Sequence, residues 1–286
     1  MILSIGDLVL DVTIVPDRSV QRDDDTPASI RVGGGGQAAN FCAWAASLGE
    51  QVRLVCSVGR DDIADRLIAE LIAGGVDVRA VRGDDPTGVI AVMVGPDGER
   101  TMLTQRGASV GLREDQVQRD WFAGIRLLHV PAYSLFREPI ATAAWTAVEM
   151  AREQGAAIAV DLSSAAGIDE YGASRMRREL ERLQPEFLFA TAVEASALGA
   201  PLEDLADHAV LKLGEAGCQV GHRRITAPAV EVVDATGAGD ALAAAFCSAM
   251  LGGANEIEAA ERAVAVAAEA VGVVGARPPR RERATT

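Results

Sequence analysis

Short β-rich runs alternate with Ala-rich helical patterns along most of this 286-residue chain, and no other feature constrains its fold as strongly. The alternation runs through residues 52–58, 63–73, 126–130, 140–153, 156–161 and 187–190. Strands alternating with helices of this length predict βαβ units and a parallel central sheet. Several of the strands, such as 157–160, are apolar throughout, as a sheet covered on both faces requires. With 49% hydrophobic residues the chain can bury one large core, so one main domain is expected. Two segments break the rhythm. Residues 87–104 hold two β-rich runs around Gly95-Pro96-Asp97-Gly98, a strong hairpin turn, because Pro presets φ and Gly accepts φ > 0. The other, about 12–32, has strand-like ends around the polar stretch RDDDT. Both read as pieces of a small, flat antiparallel β lid inserted at about 12–32 and 87–105.

Composition removes several function classes. A formal net charge of −14 argues against a broad basic surface, so neither nucleic acid nor anionic lipid is an expected partner. A single polyphosphate could still bind, since it needs only backbone N–H groups, a metal and one or two local cations. Cys42, Cys56, Cys218 and Cys247 are scattered, without a CxxC pair, and read as buried small hydrophobes in a reducing compartment. His129, His208 and His222 share no metal-ligand spacing, so a zinc site is not supported. Met1 leads straight into the apolar run 2–5 without a basic leader, which reads as a first core strand and not a signal peptide. Apolar stretches are all too short or too interrupted to span a membrane, and a cytoplasmic protein is expected. Residues 277–286, RPPRRERATT, read as a solvated, disordered tail.

Three segments can carry chemistry. In the first, 231–251, the β-branched pair Val232-Val233 reads as a strand ending in the turn TGAGD. A helix follows, with Leu242, Phe246 and Met250 recurring every four positions. Such a helix start presents free backbone N–H groups and the positive end of the helix dipole, a ready anion site. Gly237, Ala238 and Gly239 let a phosphate approach the backbone closely. Asp240 beside them makes no sense as an anion ligand but does as a base taking a proton from an attacking hydroxyl. On spacing alone, a first-turn carboxylate that merely complements the dipole is an equal reading.

The second segment, 33–49, is again Gly-rich and enters an Ala-rich helix. It contains a formal GxGxxA match at Gly34, Gly36 and Ala39, yet the run before it carries an Arg and follows a polar stretch, which fits a dinucleotide fold poorly. Close backbone approach to a hydroxylated ligand, with Asn40 as donor and acceptor, is one alternative. A plain helix-start turn is another. In the third segment, GDLVLDV, Asp11 follows an apolar strand, where ligands gather in parallel sheets, and it could accept bonds from vicinal hydroxyls or simply form a turn.

Together these segments resemble the ribokinase-like (pfkB) carbohydrate kinase family over nearly the whole chain. GGQAAN with Gly49 and Gly59 resembles its N-terminal signature, and DATGAGD followed by LAAAF its C-terminal one. HVPAYSLF, AVDLSSAAG, FLFATAVEASAL, LKLGEAGC and VGARP match in order between and after them. The resemblance implies a three-layer α/β/α sandwich with a mainly parallel sheet and a β lid. It also implies transfer of a phosphoryl group from ATP with Mg²⁺ to a hydroxyl of a sugar-like small molecule. By position, Asp240 would be the base and Gly237, Ala238 and Gly239 the anion hole. Asp11, Gly35, Gly36 and Asn40 would contact substrate, while Lys212, Gly214, Thr236 and Gly275 would border the nucleotide. Asp234, with Thr236, would help hold a monovalent cation such as K⁺. Arg106 is a candidate for substrate or phosphate contact, against the blander reading of a solvated strand-end arginine. The usual NxxE motif of the magnesium shell here reads Thr191-Ala192-Val193-Glu194, so Glu194 is present but Thr replaces Asn. That departure predicts altered magnesium dependence. Cys42 and Ala235 are smaller departures, expected to affect packing only.

Kinase is thus the leading expectation. A nucleoside kinase of the same family, a catalytically silent sugar- or nucleotide-binding regulator and, more distantly, a nicotinamide-dependent oxidoreductase are the alternatives. Few aromatic residues occur in the lid segments to stack a base, which tilts the substrate towards a sugar or sugar acid. Trp44, Trp121 and Trp145 fall in helix-like stretches and read as core. The alternating apolar residues of the lid suggest a homodimer through that face.

Overall fold

Thirteen strands and eight α-helices make up the computed structural model, which describes residues 1–95 and 100–279. The strands are β1 (Ile2–Ile5), β2 (Val9–Pro16), β3 (Ala28–Gly35), β4 (Val52–Val58), β5 (Val76–Arg82), β6 (Thr87–Val94) and β7 (Arg100–Gly107). They continue with β8 (Leu127–Pro131), β9 (Ala157–Asp161), β10 (Phe187–Thr191), β11 (His208–Lys212), β12 (Cys218–Val220) and β13 (Arg223–Ile225). The helices are α1 (Gln37–Ser47), α2 (Asp62–Ala73), α3 (Ile140–Glu153), α4 (Ala165–Tyr171), α5 (Ala173–Leu183), α6 (Ala192–Leu198), α7 (Ala238–Leu251) and α8 (Glu256–Val271).

Nine strands form the central sheet in the order β13, β12, β11, β10, β9, β8, β1, β4, β5. From β11 to β5 every pairing is parallel, and only the β11–β12 and β12–β13 pairings at one edge are antiparallel. Strand side chains alternate between two cores. Phe187 and Phe189 of β10 enter the core shared with α1, α2, α7 and α8, whereas Leu188 and Ala190 enter the one shared with α3, α5 and α6. This is the expected α/β/α sandwich, and it explains strands that read as apolar throughout. All four cysteines are buried and unbridged, and burial pushes the thiols up. Trp44 and Trp121 are core, while Trp145 is half-buried under the Arg182 guanidinium. Among the described residues no helix is long and apolar enough to cross a membrane.

The lid is a second sheet in the order β3, β2, β6, β7, and its strands are longer than the sequence pattern suggests. It is not purely antiparallel. The central pair β2 and β6 is parallel, from Leu10 opposite Val89 to Ile14 opposite Met93. The reason lies in the main sheet: β1 and β5 run in one direction there, and each leads into the lid through a short link, so their continuations emerge parallel. The β6–β7 pair is antiparallel as expected, but residues 96–99 of the predicted turn, like the tail residues 280–286, lie outside the described residues. One predicted strand is absent. Val232 and Val233 are 61% and 54% exposed, and the backbone N–H groups of Val233 and Asp234 donate to the Val271 carbonyl at the end of α8. An extended segment leaning on a helix end, and not a core strand, therefore delivers the start of α7.

Candidate active site

Carboxyl ends of neighbouring parallel strands meet at one edge of the sheet, the place where open α/β sheets collect ligands. Asp7 follows β1, Asp161 closes β9, Thr191 closes β10 and Lys212 closes β11, with Thr191 and Lys212 paired in register. The glycine turn before α7 faces this edge. Gly237 caps the helix at φ 80°, and a Cβ there would collide with the Ala276 backbone, so glycine is required. Ala238, Gly239 and Asp240 form the first turn. A Cβ added at Gly239 would lie 3.6 Å from Lys212 Nζ, which brings a cation against the anion turn.

Lys212 donates to both oxygens of Asp161, at 2.9 and 2.7 Å, and Asp161 is fully buried. Burial alone would lower the Lys212 ammonium, but the Asp161 and Glu194 carboxylates outweigh it and raise its pKa. Asp240 has the reverse problem. Burial, then the Asp161 charge, push its carboxyl up to about 7, against the amides of Asn40 and Gln37 and the Lys212 charge, which favour ionisation. Asn40 Nδ2 donates to Asp240 Oδ2 at 3.0 Å. Ser163, in left-handed backbone conformation at φ 67°, donates through Oγ to Gln37 Oε1 at 2.6 Å and through its N–H to Asp161 Oδ1 at 3.1 Å. The site therefore contains a carboxyl that titrates near neutrality, beside a helix N-terminus and a lysine. That combination can accept a proton while stabilising negative charge.

Asp11 lies within lid strand β2, not at the end of β1 as the sequence suggested, because β1 stops at Ile5 and the chain re-enters a strand at Val9. It is paired with Gly33 and sits against Gly35, where any Cβ would overlap its carboxylate. Its Oδ1 is buried without a hydrogen-bond partner, and burial pushes the carboxyl up to about 6. Gly36, at φ 96°, begins α1 against the Asp7 carbonyl. Gly34 and Gly35 belong to lid strand β3, outside any βαβ unit, so the dinucleotide fingerprint lacks its structural context. Arg106 is not a solvated strand end. It binds the buried Asp7 carboxylate and stacks over Tyr133 at 3.9 Å, because β7 carries it from the lid down to the end of β1.

On the far flank, Asp234 Oδ1 accepts from Thr236 N–H at 3.0 Å and Thr236 Oγ1 at 2.6 Å, and its Oδ2 accepts from Gly275 N–H at 3.0 Å. Gly214, at φ 59°, begins the turn after β11. Thr191 and Glu194 form a reciprocal capping box on α6: Thr191 Oγ1 accepts from Glu194 N–H at 3.2 Å and the Glu194 carboxylate accepts from Thr191 N–H at 2.7 Å. Burial raises the Glu194 carboxyl, against the Lys212 charge.

Five residues of this constellation carry no role on sequence alone. Asp7, Asp161, Ser163 and Gln37 lie inside quoted stretches, and Asp161 closes an apolar strand, the same signal that marked Asp11. Arg277 was assigned to a solvated tail, yet it turns inward: Nη2 donates to the Gly35 carbonyl at 2.9 Å and Nε to Asn40 Oδ1 at 3.3 Å. It too lies inside a quoted stretch, VGARP, but nothing in the local sequence shows that it turns inward, since the fold-back after α8 brings it there.

Known proteins similar to this chain are kinases. The chain is 30% identical to an ATP-dependent ribose-1-phosphate kinase of Halopiger xanaduensis, over 96% of this chain and 93% of that protein. It is 27% identical to a probable fructokinase-5 of Arabidopsis thaliana, over 86% and 81%. Among solved structures, an adenosine kinase from Sinorhizobium meliloti superposes with a TM-score of 0.86 at 27% identity, covering 97% of this chain and 95% of that one. The model of the pfkB family of carbohydrate kinases matches residues 1–283, and the chain belongs to that family.

Proposed function

We propose that this phosphotransferase moves the γ-phosphoryl group of ATP to a hydroxyl of a sugar-like small molecule, with Asp240 as the base. The observation that carries the reading is the placement of Asp240. Its carboxyl titrates near 7, in the first turn of a helix whose glycine turn is flanked by Lys212. The N–H groups at Gly237, Ala238 and Gly239 would stabilise the transferring phosphoryl while Asp240 takes the hydroxyl proton. Asp11, whose Oδ1 lacks a partner, and the Gly35-Gly36 backbone would receive the acceptor's hydroxyls under the lid. Arg106, held at the same edge by Asp7, would close that side. Lys212, Gly214, Thr236 and Gly275 would border the nucleotide.

Among the described residues no group of three or more His, Cys, Asp or Glu side chains could hold a metal ion. Mg²⁺ would arrive on the nucleotide phosphates and neutralise their charge, with Glu194 acting through water. The oxygens of Asp234 and Thr236 with the Gly275 loop suit a monovalent cation such as K⁺. A nucleoside acceptor is the second reading, since one similar structure is an adenosine kinase. Against it, the four lid strands carry no aromatic side chain to stack a base.

ADP release with MgATP against ketoses, aldoses, sugar acids, sugar phosphates and nucleosides tests the reading. Activity on one acceptor, lowered about 10²- to 10⁴-fold by Asp240→Asn, is the expected result. Full activity in that variant would remove Asp240 from the role. Silence across the panel in folded, ATP-binding protein would favour a regulatory role.

A further inference from the structure

Strand alternation places Arg277 behind the acceptor site and not in it. Asp11 and the Gly33 and Gly35 positions share one face of the lid, and Gly34 points to the other. The Arg277 guanidinium occupies that other side, where a Cβ on Gly34 would collide with it. The backbone leading there is pinned, because Gly275 N–H binds Asp234 and the Trp44 indole donates to the Ala276 carbonyl at 3.0 Å. From this position Arg277 donates hydrogen bonds to two neutral acceptors, the Gly35 carbonyl and Asn40 Oδ1, while its charge favours the ionised form of Asp11 across the strand.

Asn40 is 5% exposed, so both ends of its amide need partners inside the protein. One neighbour is a guanidinium, which only donates; the other is the Asp240 carboxylate, which when ionised only accepts. A single amide orientation satisfies both, with Oδ1 towards Arg277 and Nδ2 towards Asp240. We infer that Arg277 is a positioning residue for phosphoryl transfer, locking the Asn40 amide so that it donates to Asp240 and holds that carboxylate in its proton-accepting form. Without the guanidinium, Asn40 Oδ1 loses its donor. The amide can then turn over and accept a hydrogen bond from a protonated Asp240, which favours the inactive form. Arg277 itself stays charged at neutral pH, since burial lowers it only to about 10.

The inference rests on Asp240 being the base, and its test separates the two claims. The pH dependence of kcat/KM would be measured for the full chain with MgATP and its acceptor, in the wild type and in Arg277→Met, Arg277→Lys and Asn40→Ala, alone and combined. Arg277→Met is expected to move the acid limb of the profile upward by about one pH unit and so to lower kcat/KM at pH 7 about 5-fold, with KM for ATP unchanged. Arg277→Lys, which can still donate to Asn40 Oδ1, should restore most of the shift. In the Asn40→Ala background Arg277→Met should move the limb no further, because the two act through one amide. An equal shift in that background would mean that the Arg277 charge acts through space, and the inference falls. A uniform loss of activity with an unmoved limb would make Arg277 a strut for the lid alone and also overturn it. If the wild-type limb survives Asp240→Asn, the assignment of the base fails instead, and Arg277 with it.

Discussion

Asp240 sits where its ionisation pulls activity and stability in opposite directions. Its carboxyl is pushed up to about 7 by burial and the Asp161 charge, from an ordinary value near 4. As a base it acts only when deprotonated, so kcat/KM is expected to rise with pH to a plateau above about 7, as a pH-rate profile would show. Stability runs the other way. A folded-state pKa above the unfolded one means that the native protein holds the proton more tightly, so the stabilisation is fully present below the unfolded value and is lost as pH rises through about 7. Asp240→Asn removes the buried charge, so its Tm should exceed that of the wild type at pH 8 by a few degrees and converge with it below about pH 4. A constant gap in calorimetric scans across that range would contradict the raised pKa. This residue was legible in the sequence because small residues, a helix start and a carboxylate leave few chemical readings. Asp161 and Lys212 were harder, since 51 positions separate them and only the β9, β10, β11 order joins them. Arg277 lies in the quoted stretch VGARP, but its inward turn was not legible, because an arginine beside Pro278 and Pro279 has every local reason to be solvated.

Helix starts and strand exits decide where the elements matched the pattern. Helix α3 and strand β4 begin and end where their periodicity predicts, since each has a continuous apolar face to bury. Val232-Val233 failed the same rule because β-branching marks strand propensity without supplying a neighbouring strand, and the segment's N–H groups found the end of α8 instead. The lid's parallel central pair was equally invisible, being set by the direction in which β1 and β5 leave the main sheet. At α6 the Thr-for-Asn departure acquires a structural meaning, because Thr191 is an effective N-cap and its hydroxyl is engaged with Glu194 N–H. Thr191→Ala should therefore cost about 1 kcal/mol in urea unfolding. Thr191→Asn should keep that stability, since Asn also caps, while changing the Mg²⁺ concentration for half-maximal rate as Glu194 and its water shell readjust. An unaltered Mg²⁺ titration in Thr191→Asn would dismiss the link between this cap and the metal.

Seen at the scale of the whole molecule, the lid has two faces with different tasks. Asp11 and Arg106 point from one face towards the sheet edge, whereas the cross-strand row Val32, Val12, Ala91, Leu103 and the neighbouring Ile30, Ile14, Met93 lie on the other. Ile30 and Leu103 are 60% and 61% exposed there, and Val32 is also exposed. An apolar row across a four-stranded sheet is a surface that soluble proteins usually cover. We propose that a second copy of the chain covers it, lid against lid. The net charge of −14 opposes self-association at long range, so the dimer should be tighter at high salt, where repulsion is screened and apolar contact is not weakened. Sedimentation equilibrium is expected to show a dimer at micromolar concentration that strengthens between about 0.05 and 0.5 M NaCl, where the Debye length falls from about 14 to 4 Å. Val32→Glu with Leu103→Glu places four like charges in the interface of a symmetric pair and should leave a monomer. Because those side chains face away from Asp11, ATP should bind that monomer as it binds the wild type. A wild-type protein that stays monomeric at every salt concentration would show that the apolar face has no such partner.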